Sequence, residues 1–172
     1  MGAPVSNLEA ADKPTAETLL SAFKTISAAE RGKHANIFNY WLSIRGDRDF
    51  APTHALDPLE LSDAASSSVL LELIGGGEEA EVRHVGDALK QSITVARITE
   101  AATPSLLSCI GAKVALVALS RNVLAFEDEY PTGDDVTRCW VTLLPFSSTG
   151  TWIDYVYGFV TTETGAAAKP EP

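Results

Sequence analysis

Three stretches decide the fold: Val123–Tyr130 (VLAFEDEY), Val136–Phe146 (VTRCWVTLLPF) and Trp152–Thr162 (WIDYVYGFVTT). Each is dense in β-branched and aromatic residues, which favour a pleated, half-buried surface. Between them lie Pro131-Thr132-Gly133-Asp134-Asp135 and Ser147-Ser148-Thr149-Gly150, both made of turn-forming residues. The three therefore read as an antiparallel meander. In the last, Ile153, Tyr155, Tyr157 and Phe159 take one face, and Trp152, Val156 and Val160 take the other. Both faces are apolar, so each must be covered by something.

Working back, Thr103-Pro104 carries a cap-plus-proline signature, and a helix is expected from there to about Ser120. Leu106, Leu107, Ile110, Val114 and Val117 keep helical spacing. Gly111 in its middle costs roughly 1 kcal/mol relative to alanine and suits a closely packed neighbour. Before it, Asp87 to Ala101 supports two readings, because Ile93, Thr94, Val95 and Ile98 favour a strand as much as a helix. Ser68–Ile74 and Glu79–Gly86 read as two strands joined through Gly75-Gly76-Gly77, a hairpin signal.

Toward the N-terminus, Pro14 to Arg31 reads as an amphipathic helix with Leu19, Leu20, Phe23 and Ile26 on one stripe. Asp12 or Thr15 can cap it, and Gly32 reads as its break. A second helix is expected over His34–Ile44, with Ile37, Phe38, Trp41 and Leu42 on one face and Gly46 as its stop. Asp57-Pro58 caps a short turn through Leu61. Residues 1–12 and the tail 164–172 read as disordered. The domain plan is an extension over 1–32, one domain over 33–163, and the tail.

A chain of 172 residues with 45% hydrophobic residues can bury a core without staples. The net charge of −10, with 13 scattered basic residues, argues against a nucleic-acid surface. No basic-then-apolar leader is visible, and the longest apolar run, Val114–Leu119, is far shorter than the roughly 20 residues of a membrane helix. A cytoplasmic protein without a membrane partner is expected.

The chemistry-bearing residues are few. Gly75-Gly76-Gly77 lacks the Lys-Ser/Thr of a phosphate loop, and Glu78-Glu79 would repel phosphate. His34, His54 and His84 form no spaced ligand set with Cys109 and Cys139, so no metal or haem is indicated. The two cysteines fit buried structural positions better than reactive ones. No nucleophile elbow occurs, and Glu127 and Glu129 read as a solvated strand edge rather than a catalytic pair. Arg83 has two readings. Pointing inward, it needs a carboxylate or an anionic ligand; pointing outward, it is ordinary surface. The strand aromatics, Trp140, Trp152, Tyr155, Tyr157 and Phe159, fit core packing, with an exposed interaction surface as the alternative.

Several spaced pieces of the chain resemble the PAS superfamily, in particular the short single-domain PAS-type proteins of alphaproteobacteria. They are Tyr40-Trp41 with Arg45-Gly46, Asp57-Pro58-Leu59-Glu60-Leu61, Arg83 through Gly86, Leu144-Pro145-Phe146, Asp154 and Gly158, within Ile37 to Glu163. The chain departs from that pattern at Lys90–Ile98, which lacks the family's glycines. The resemblance implies an α+β fold: a five-stranded antiparallel sheet, helices between strands two and three, and helices N-terminal to it. It also implies a non-enzymatic sensory or regulatory role through a small-molecule ligand, a partner protein or a second copy. Arg83, Ile110, Val114, Cys139 and Tyr155 are the residues expected to line a ligand site. The cofactor, if there is one, is not specified. A filled-core homodimer or scaffold is the alternative, and a small-molecule enzyme using Arg83 and His84 is a remote one.

Overall fold

The computed structural model describes residues 15–166. The chain is α+β. Among the described residues five strands, β1 (Ser68–Ile74), β2 (Glu79–Val85), β3 (Leu124–Thr132), β4 (Asp135–Phe146) and β5 (Tyr155–Ala166), form one open antiparallel sheet in the order β2-β1-β5-β4-β3. The expected meander is present. Its last strand starts at Tyr155 rather than Trp152 and continues past the expected end to Ala166. Thr164, Gly165 and Ala166, placed by composition in a disordered tail, pair instead with Thr137, Val136 and Asp135. β4 is long enough to hold them, and ladder bonds outweigh the low β-propensity of Gly and Ala. Residues 1–12, the Asp12 cap and residues 167–172 lie outside the described part.

Among the described residues five α-helices accompany the sheet: α1 (Ala16–Leu20), α2 (Ala28–Arg45), α3 (Pro58–Leu61), α4 (Asp63–Ser66) and α5 (Leu106–Ser120). The N-terminal expectation needs correction. The chain leaves helix after Leu20, and α2 runs without a break through Gly32, so the expected domain boundary at 32/33 falls inside it. The cause is the cap. Thr15 caps α1, but Ser27 offers a second start, accepting from the Glu30 N–H at 3.2 Å, and Gly32 faces open space. Gly46 ends α2 with φ 55°, as expected. α5 begins at Leu106, not at Thr103-Pro104. Ser105 and Ser108 cap each other's backbone N–H groups reciprocally, at 3.1 and 2.8 Å. Residues 87–101 are neither the helix nor the strand considered. They form two 3-10 turns, Asp87–Leu89 and Ile98–Glu100, and bury Leu89 and Ile93 beneath the sheet's end.

Both sheet faces are covered from within the chain. On one, Ile110, Val114 and Val117 of α5 pack on Val69, Leu71, Val141, Leu143, Val156 and Val160. On the other, Ile37, Phe38 and Trp41 of α2 pack on Leu144, Phe146, Tyr157 and Phe159. Leu20 and Phe23 extend that second layer over Ala125 and Trp140. Gly111 does meet a close neighbour: a Cβ there would lie 2.5 Å from Ile98 Cγ2.

Candidate functional site

The cleft that stands out is built where β1 ends beside β5. β1 pairs with β5 only from Ser68 opposite Phe159 to Glu72 opposite Tyr155. β5 runs on without it. The space so left, about 690 Å³, is walled by α2 (Glu30, Lys33, Asn36, Ile37, Tyr40), by the α3–α4 segment (Glu60 to Ser67) and by Phe159–Thr162 of β5.

Local chemistry fixes each wall. Asp57 caps α3 through its side chain, at 2.9 Å from the Leu59 N–H, and Pro58 supplies the first helical position. Tyr40 of α2 holds this segment, its hydroxyl accepting from the Asp57 N–H at 2.9 Å. Burial is the first cause that raises the Tyr40 pKa, so the phenol stays protonated. Between α3 and α4 the chain turns at Ser62 with φ 53°, a left-handed value rare for serine. α4 is seated against Gly86, where a Cβ would lie 2.3 Å from the Ser66 carbonyl oxygen.

The β5 wall is tied to α2 by a buried histidine. His34 Nδ1 lies 2.8 Å from Thr142 Oγ1, and Nε2 lies 2.9 Å from Thr161 Oγ1. Phe23 and Phe159 meet the ring edge to face at 4.8 and 4.6 Å. Desolvation, assisted by the Lys33 charge, lowers its pKa to about 3. It is therefore a neutral rivet. Sequence reasoning weighs His34 only as a ligand. Its place four residues before Phe38 and three before Ile37, on the buried stripe of one helix, is the signal that could have found it.

The five residues expected to line a ligand site are not brought together. Ile110, Val114 and Cys139 are fully buried in the core under α5. Arg83 and Tyr155 lie on the other side of the sheet, joined through Glu72, which pairs with Tyr155 across the strands. Arg83 takes the outward reading, its side chain half exposed. Its Nε donates to Glu72 at 2.6 Å, its Nη2 lies 2.8 Å from Glu81, and the Glu72 bond raises its pKa. It sits at the register shift between β1 and β2, where Leu70 opposes His84 and Leu71 opposes Val82. That bulge re-aims alternation, so Val82 and Val85 reach the same core despite opposite parity. None of the five lines the cleft.

Both cysteines and the strand carboxylates have structural roles. Burial pushes the Cys109 thiol up to about 11 and Cys139 up to about 12, which leaves them protonated and weakly nucleophilic. Glu127 and Glu129 have separate partners. Glu127 accepts from the Lys24 N–H and the Thr25 hydroxyl, tying the N-terminal segment to β3, while Glu129 faces Arg138 at 3.6 Å. Asp154 accepts from the Ser148 N–H at 2.9 Å and closes the β4–β5 turn. Among the described residues no group of three His, Cys, Asp or Glu side chains could hold a metal ion, and no helix is long and apolar enough to cross a membrane. No protein-family model, curated protein or solved structure matches the chain.

Proposed function

We propose that this chain is a non-enzymatic regulatory module of PAS type that works by binding a partner at the cleft between α2, the α3–α4 segment and β5. The observation that carries this reading is the contrast between the two sides of the sheet. Under α5, Ile110, Val114, Cys139, Val141 and Leu143 pack together at zero exposure. Beside α2 there is an open, walled cleft. The strand order β2-β1-β5-β4-β3 and the helical segment between β2 and β3 lend support. So does the meeting of the separate pieces behind the resemblance. Trp41 Nε1 donates to the Pro145 carbonyl at 2.8 Å, and Tyr40 holds Asp57. Occupancy of the cleft would bias how α2 seats on β5, which is the two-state element such a module needs.

A photo-crosslinking amino acid in place of Asn36, on the cleft wall, tests this in the expressing cell. Asn36 should capture a partner, and the same group at Leu119, on the exposed side of α5, should not. Equal capture at both sites would defeat the reading. Native mass spectrometry of protein purified without added cofactor should show the chain mass alone, and a retained organic molecule would return the ligand to the α5 side. A homodimeric scaffold is favoured by one observation, the exposure of Leu116 and Leu119 one turn apart on α5. Concentration-dependent dimerisation abolished by Leu119→Lys would establish it.

A further inference from the structure

The strands of the sheet do not end together. β1 leaves at Ser68, opposite Phe159, whereas β4 stays paired with β5 as far as Asp135 opposite Ala166. Among the described residues, β5 from Thr161 onward has one paired edge and one open edge, and Thr162 to Ala166 are exposed. The last bond on the open side is from the Val160 N–H to the Ser67 carbonyl, at 2.9 Å. Backbone groups alternate in direction along an antiparallel strand. The N–H and C=O of Thr162 and Thr164 therefore point the same way as those of Val160, into the row that β1 has vacated. α4 does not fill that row. The chain turns aside at Ser62 and is seated on Gly86 instead.

Such an edge is a ready template for another strand. The charges beside it select which one. Glu30, Glu60 and Asp63 stand on the cleft walls, and Glu163 lies within the open stretch. Lys33 is the one cation among the described lining residues, and Glu30 already holds it at 3.0 Å. A second copy is a poor occupant. The chain carries a net charge of −10, and edge-to-edge pairing of two copies would bring their Glu163 side chains close together.

We infer that the open edge of β5 is a strand-addition site for an extended, Lys- or Arg-bearing segment of a partner protein. Its backbone pairs with Thr162 and Thr164, and its basic side chains lie over Glu30, Glu60 and Asp63. This rests on the proposed binding role of the cleft and adds the chemistry of the partner.

The test titrates the full chain into a fluorescein-labelled peptide, Lys-Val-Arg-Val-Thr-Val-Lys-Val, and reads anisotropy. Saturable binding is expected, weakening as salt is raised. Alternate N-methylation of the peptide removes the donors of one edge and should weaken binding at least about tenfold, the equivalent of one to two backbone bonds. This arm leaves the protein unaltered, so its folding is not in question. Thr162→Pro, which removes a donor only from the open edge, should do the same, as should the double substitution Glu60→Lys with Asp63→Lys. The inference is overturned if the N-methylated or an acidic peptide binds equally well, or if Thr162→Pro binds as the parent does. It is also overturned by a dimer that forms through β5 and is lost in Thr162→Pro. No peptide binding together with crosslinking at Asn36 would overturn strand addition alone. Failure of both would remove the cleft's binding role as well.

Discussion

At the residue scale, His34 makes the clearest demand on solution conditions. Both ring nitrogens are engaged with threonine hydroxyls, so the neutral ring donates through one and accepts through the other. Protonation would remove the acceptor and bury a charge. Its folded-state pKa of about 3 lies below the unfolded value of 6.5, so the unfolded chain takes the proton first. The stability held by the neutral form is complete above pH 6.5 and is lost as pH falls toward 3. Across pH 7 to 4 the loss is on the order of 3 kcal/mol. Urea titrations of parent and His34→Gln should show their stability difference shrinking by about that amount over this interval, whereas a constant difference would refute the rivet. The buried tryptophans make a matched pair. Trp41 donates to Pro145, but the buried Nε1 of Trp140 has no partner among the described residues. Trp41→Phe strands a carbonyl, and Trp140→Phe removes an unsatisfied donor. The first should therefore cost about 1–2 kcal/mol more than the second, read from the same titrations. Helical spacing in the sequence places Trp41 on the buried side of α2. It cannot tell the two indoles apart, because each indole's partner is set by a distant segment.

At the element scale, two glycines of opposite meaning test how local signals are overridden. A Cβ at Gly32 would meet nothing within 4 Å, and the residue sits inside an 18-residue helix. Gly32→Ala should raise stability by about 1 kcal/mol. Gly86 would drive a Cβ into the backbone of Ala65 and Ser66, at 2.4 and 2.3 Å. Backbone cannot swing aside as a side-chain tip can, so Gly86→Ala should cost about 3 kcal/mol. Thermal melts of the two variants should move in opposite directions, and a fall for Gly32→Ala would reinstate a break at that point. Elements with strong periodicity are legible: β1 matches Ser68–Ile74, and α5 ends at Ser120. The early helices are not, because Ser27 and Thr15 are both competent caps and composition does not rank the two starts. From the Ser27 cap the helix runs through Gly32 and brings His34, Ile37, Phe38 and Trp41 to bury against the sheet. The segment 87–101 is ambiguous for a related reason. Of its β-branched residues Ile93 is buried, and the segment meets β2 only at an isolated bridge, where the Val82 N–H donates to the Ala96 carbonyl at 2.8 Å, rather than as a regular element.

At the scale of the whole molecule, the sheet divides the protein into two layers with different sensitivities. The sequence implies both, since a strand apolar on both faces needs two covers. It does not reveal which residues share a layer. Arg83 and Tyr155 fall on one side and Ile110, Val114 and Cys139 on the other, because a bulge shifts the β1–β2 register and periodicity says nothing about which strand faces align. The layer under α5 is almost wholly apolar, and its two thiols remain neutral across the ordinary pH range. The α2 layer contains His34, whose charged form the layer excludes. Acid therefore weakens the two layers unequally. Opening α2 releases the imidazole to water and gains its protonation, whereas opening α5 gains nothing comparable. Hydrogen exchange at pH 7 and pH 4.5, corrected for intrinsic rates, should show protection falling first across Ala28–Arg45, while Leu106–Ser120 keeps its protection. The loss should be absent in His34→Gln. Equal loss in both layers would mean that the sheet opens as one unit, and α2 could not then serve as the separately movable element that the proposed binding role requires.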